Sequence, residues 1–65
     1  MGGLLKLKFK NGDKVKIIKG AFANFIGECY VDDKDRRNAE VYIPENEEHT
    51  AFNVVVTCDM LEKIS

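Results

Sequence analysis

Few side chains in this chain are of the types that do chemistry, and their spacing points to binding rather than catalysis. The cysteines, Cys29 and Cys58, lie far apart, and His49 is the one histidine. With no paired spacing among them, a zinc site has nothing to build on. The carboxylates Glu45, Glu47 and Glu48 fall together, but no glycine turn spaces their oxygens around a calcium ion. No Ser, Cys or carboxylate pair comes with an orienting base, so nucleophilic and acid–base catalysis have no candidate site. His49 reads as a lone exposed side chain and is assigned nothing. The chain is therefore read as non-catalytic, without metal or cofactor.

Two features carry contact chemistry instead. Phe22 and Phe25 lie three apart on a stretch bounded by Gly20 and Gly27. Both could cap a core, but two aromatics at that spacing on a short loop do not easily both turn inward. At least one should be exposed, and an exposed loop aromatic anchors a partner. The partner-binding candidates are Phe22, Ala23, Asn24, Phe25 and Ile26. The second feature is Lys6, Lys8, Lys10, Lys14, Lys16 and Lys19, which face a single acid, Asp13, within the first twenty residues. Of these, Lys8, Lys10, Lys14, Lys16 and Lys19 are the candidate RNA-binding residues. Phosphate binding needs little geometry, so the alternative is a solvated outer strand face. RNA readout also needs aromatics on the sheet. Tyr30 and Tyr42 are outward by parity, but Glu28 and Glu40 beside them oppose a phosphate track.

The elements that position these residues are short strands. Leu5 to Lys10 alternates apolar and charged, Asn11-Gly12 is a hairpin signal, and Lys14 to Lys19 alternates again up to Gly20. A three-residue loop would pair Phe9 with Val15 and Leu7 with Ile17. Either that hairpin forms with a basic outer face, or the first segment pairs elsewhere. Ile26 to Val31 follows with Gly27, Cys29 and Val31 inward, and Gly27 suggests a bulge or a tight bend. Asp32 to Asn38 reads as a charged turn. Ala39 to Ile43 is the next strand, stopped by Pro44, before the acidic loop Glu45 to Thr50. Ala51 to Cys58 carries the β-branched run Val54-Val55-Val56. Asp59-Met60-Leu61 makes a short turn, and Leu61 to Ile64 a last edge strand. About five antiparallel strands with tight polar turns and no helical period make an all-β chain that closes into a small barrel.

Composition agrees with one such domain. The chain has 65 residues and a net charge of −1, with 45% hydrophobic residues and a single proline. That length exposes a large fraction of its surface, so the core is small. No apolar run approaches a membrane span. The start, Met1-Gly2-Gly3-Leu4-Leu5-Lys6, is charged too soon for a signal peptide. Residues 1–11 are read as an N-terminal segment, an extra strand or a vector-derived remnant, and residues 12–65 as the barrel. Cys29 and Cys58 read as buried, reduced thiols of a cytoplasmic protein.

The pattern Gly12-Asp13-x-Val15-x-Ile17-x-x-Gly20-x-Phe22-Ala23-x-Phe25-x-Gly27 resembles a KOW motif. More narrowly, it resembles the C-terminal domain of NusG-type transcription elongation factors. Ala21 stands where that family usually has proline in a Gly-Pro-Phe loop. Ala39-Glu40-Val41-Tyr42-Ile43 falls at the family's spacing, and Leu61-Glu62-Lys63-Ile64 resembles its closing Val-Glu-Lys, so the likeness spans residues 12–64. The departure lies after the third strand. There the family usually carries Ile-Phe-Gly-Arg, and this chain has Pro44-Glu45-Asn46-Glu47-Glu48-His49-Thr50.

The resemblance implies an SH3-like barrel of KOW type and a role in bacterial transcription regulation, in elongation or antitermination. In the family this barrel binds NusE, a small-subunit ribosomal protein, or the termination factor Rho. RNA polymerase is gripped by a separate domain not present here. Of the family's partner surface, only Phe22 and Phe25 carry over, which implies a specialised paralogue acting as a monomer. The alternative is an RNA-binding KOW module of ribosomal-protein type that uses the N-terminal lysines.

Overall fold

The computed structural model describes residues 9–32 and 34–64. Among the described residues there are five strands: β1 (Lys14–Ile17), β2 (Ile26–Asp32), β3 (Asp35–Ile43), β4 (Phe52–Thr57) and β5 (Leu61–Lys63). They form one antiparallel sheet in the order β4-β3-β2-β1-β5. A single 3₁₀ turn, Cys58–Met60, joins β4 to β5. This is a small all-β fold of SH3-like barrel type.

Period-two alternation builds it. Val15 and Ile17 of β1, Gly27 and Cys29 of β2, and Ala39, Val41 and Ile43 of β3 all point to one side. Lys14, Glu28, Tyr30, Glu40 and Tyr42 point to the other, in the register Lys14–Glu28–Tyr42 and Tyr30–Glu40. Phe9 and Leu61 complete the buried cluster. Val31, Phe52, Val54, Val56 and Cys58 pack half-buried against it. Cys29 is fully buried, which pushes its thiol pKa up, while Cys58 is less buried than the expected pair of core thiols.

Four expectations are resolved or corrected. Of the two readings left open for the first segment, the Phe9–Val15 pairing is not the one seen, because β1 already has both edges occupied, by β2 and by β5. The Asn11-Gly12 turn is real, with Gly12 at φ 93°. It is stitched to β2 instead: Gly12 N–H donates to the Cys29 carbonyl at 2.8 Å, and Val31 N–H donates to Asn11 Oδ1 at 2.7 Å. Leu5, Lys6, Leu7 and Lys8, the rest of that expected strand, lie outside the described residues. Second, the first strand stops at Ile17 rather than Lys19, since Ile18 N–H turns away to the Met60 carbonyl at 2.7 Å.

Third, the charged turn before Ala39 is shorter than expected. β3 begins at Asp35, which pairs with Asp32 across a bulge at Val31/Asp32. Asp35 Oδ1 accepts the backbone N–H groups of Arg37 and Asn38, holding this end of the strand in place. Gly27 is not the bulge. A Cβ added there would lie 2.2 Å from the Tyr42 carbonyl oxygen, so glycine is required by the closeness of the β3 backbone. Fourth, the barrel is not a closed ring of ladders. Among the described residues no ladder joins β4 to β5.

Candidate functional site

The β1–β2 loop is folded tightly enough to aim its side chains. Beyond Ile17 the ladder continues for one more pair, with Ile17 N–H donating to the Phe25 carbonyl at 2.9 Å and Asn24 N–H donating to the Ile17 carbonyl at 2.6 Å. Ala23 N–H reaches back to Gly20 and Phe25 N–H to Phe22, both at 3.2 Å. Gly20 (φ 86°) and Asn24 (φ 80°) take the left-handed conformation these turns need. Asparagine is among the few residues with a side chain that adopt it readily.

That loop delivers Phe22 and Phe25 to one end of the barrel. Phe22 is 37% exposed, while Phe25 is half-buried against the core. Their ring centroids are 6.1 Å apart. Phe52, the first residue of β4, meets Phe22 at 5.9 Å and Phe25 edge-on at 5.5 Å. His49 closes the group, edge-on to both Phe25 and Phe52 at 5.3 Å. Ring pairs at such distances and tilts each contribute about 0.5–1.5 kcal/mol beyond area burial. The outcome is an exposed Phe22 ring held on Phe25 and Phe52, which His49 backs in turn. Ile26, at the start of β2, is also exposed beside it, and Ala23 is half-buried.

His49 and Phe52 belong to this site although the sequence reading passed over both. Phe52 had a signal: it shares the parity of Val54 and Val56, so it turns toward the core side. His49 had none, because loop closure rather than any pattern brings it there. It is half-buried rather than exposed as expected, and its Nδ1 lies 2.8 Å from the Thr50 carbonyl oxygen. The Asn46 side chain organises the same loop. Its Oδ1 accepts N–H from Glu48 at 2.7 Å and from His49 at 3.1 Å, and Asn46 N–H donates to the His49 carbonyl at 3.0 Å.

The lysines do not share one uncompensated face. Lys14 stands across the ladder from Glu28, and Lys16 from Glu62. Lys19 pairs with Asp59 at 4.0 Å, and the hydrogen bond from Thr57 Oγ1, with Lys19 adding to it, lowers the Asp59 pKa. Lys10 is exposed at the turn before β1, and Lys8 lies outside the described residues. On the outer face Tyr30 and Tyr42 are both exposed. Tyr30 Oη donates to Glu28 Oε1 at 2.9 Å, and that bond raises the Tyr30 pKa, keeping the hydroxyl protonated. The face is thus acid and phenol interleaved.

Two grooves flank the rings. One of about 320 Å³ runs between Phe22 and β4, against Val54, Val56 and Met60. The other, about 370 Å³, lies between Phe25 and the acidic loop. Among the described residues no cluster of three or more His, Cys, Asp or Glu is placed to hold a metal ion. Nor is any helix long and apolar enough to cross a membrane. Comparison with known proteins finds no matching family model and no significant match among curated proteins.

Proposed function

We propose that this barrel is a non-catalytic recruitment module of a NusG-like transcription elongation or antitermination factor, working in the cytoplasm as a monomer. The observation that carries the reading is Phe22: an exposed aromatic on an ordered loop, seated on Phe25 and Phe52. A preorganised ring loses little entropy when a partner covers it, which is how a small surface gains affinity. The pattern from Gly12 to Gly27 directs the choice of partner to a NusE-type ribosomal protein or Rho. RNA polymerase would be held by another domain, and tethering would raise the local concentration of whatever this barrel captures. Glu28 and Glu62 stand across the ladder from Lys14 and Lys16, and Asp59 pairs with Lys19, which favours a protein partner over RNA phosphate.

The test is an NMR titration of the ¹⁵N-labelled chain with NusE, with Rho and with a short single-stranded RNA. The expected result is that one protein shifts the amides of residues 20–26. Phe22→Ala then weakens that complex by about 2 kcal/mol or more while the barrel stays folded. RNA shifting Lys10 to Lys19, with neither protein disturbing Phe22 or Phe25, would establish the ribosomal-protein alternative instead.

A further inference from the structure

The second groove identifies the chemistry of the partner. Its lining is mixed: Phe25, Ile26, Ile43 and Pro44 stand with Asn24, Asn46 and His49, and Glu45 and Glu48 add carboxylates. Glu47 sits between them on the same exposed loop. The rim is not a loose acidic run: the Asn46 hydrogen bonds set its backbone, and His49 ties it to Phe25 and Phe52. The ion pairs among the described residues are Lys19–Asp59 and Lys63–Asp13, and none of them involves these three glutamates. A groove with apolar patches at Phe25 and Ile26 beside exposed carboxylates matches one kind of side chain, a long methylene stem ending in a cation.

We infer that this groove takes a cationic segment of a protein partner, with an Arg or Lys stem lying over Phe25 and Ile26 and its head paired with Glu45 and Glu48. The assignment rests on the recruitment reading and deepens it by naming the chemistry of what is recruited. Arginine fits best, since its planar head bonds carboxylates two at a time and stacks on rings. An acidic segment or a nucleic-acid backbone would meet the same three carboxylates as repulsion. Rim charges of this kind act mainly on association rate and on the choice of partner.

The experiment uses three octapeptides of alternating Arg and Leu, Gln and Leu, and Glu and Leu, titrated against the ¹⁵N-labelled chain at low and high salt. The Arg peptide is expected to shift the amides of residues 24–26 and 43–49. Its affinity should fall about tenfold in the Glu45→Gln/Glu48→Gln variant and again at high salt. The Gln peptide should bind weakly and the Glu peptide not at all. The assignment fails if the Gln or Glu peptide binds as well as the Arg peptide. It fails equally if the Arg peptide shifts only the Tyr30 and Tyr42 face, or if the double variant binds it unchanged. Phe22 lies outside this groove and separates the two readings. If Phe22→Ala weakens NusE or Rho binding and the double Gln variant weakens neither peptide nor protein, recruitment stands and the charge assignment falls. If the Arg peptide needs Glu45 and Glu48 while no protein responds to Phe22, the groove assignment stands and that choice of partner falls.

Discussion

The centre of the barrel and its aromatic end are built from different residues under different constraints. The centre is aliphatic: Val15, Ile17, Cys29 and Val41 have no exposed surface. At the other end, Phe22, Phe25, Phe52 and His49 gather with part of their surface in water. Of the four phenylalanines only Phe9 is fully buried. A chain this short needs its apolar area inside, and whole domains of this size hold only about 3–10 kcal/mol. Leaving three phenylalanines half out forgoes some of that stability. The contrast teaches where substitutions should hurt: folding depends on the centre, and capture of a partner depends on the end.

The sharpest way to break that division is Gly27→Ala, which places a methyl group against the Tyr42 carbonyl, where neither backbone can retreat. We expect a loss of about 3–5 kcal/mol, enough to abolish the cooperative urea transition. Ile17→Ala comes next. It empties a fully buried site and should cost about 2–4 kcal/mol in the same transition, with Phe22 binding intact wherever the fold survives. Phe22→Ala should cost only about 1 kcal/mol in stability, because the ring is partly solvated and loses just two aromatic neighbours. A loss as large as that of Ile17→Ala would make Phe22 a core residue and end the comparison.

The smallest effect concerns the turn that stitches residues 10–13 to β2. Asp13 Oδ2 accepts the Lys10 backbone N–H at 2.8 Å and lies 3.6 Å from Lys63 Nζ. The backbone bond first, and Lys63 after it, hold the Asp13 carboxyl below its ordinary range. A carboxylate lowered by folding stabilises the fold above its unfolded pKa of about 3.9, and that contribution disappears as pH falls through the lower folded value. Asp13→Asn should therefore be less stable at neutral pH and lose less on acidification. Urea midpoints at both ends of that window would show it, and an unchanged pH dependence would mean that the turn contributes nothing through its charge.

Much of the fold was legible because half-buried strands carry their own period. Lys14 to Ile17, Ile26 to Val31 and Ala39 to Ile43 each announced an inner and an outer face, and those faces are the observed ones. That at least one of Phe22 and Phe25 is exposed was likewise legible from spacing on a short loop, though not which one. The Asn11-Gly12 signal left two pairings open because it is local, whereas the choice of partner strand depends on which edges β1 has left. Gly27 was legible as a constrained position, but the reason was not, since the obstructing carbonyl belongs to Tyr42 fifteen residues on.

The sequence by itself determined the strands, their inward and outward sides, and the loop that carries Phe22 and Phe25. Those follow from neighbouring residues, whose sterics and hydrophobic alternation act over a few positions at a time. Only the tertiary structure decided that β1 lies between β2 and β5, that the ring carried by His49 meets those of Phe25 and Phe52, and that Glu45 and Glu48 border a groove beside Phe25. These are contacts between distant segments. They depend on how the whole sheet coils around its aliphatic centre, and no local pattern specifies that.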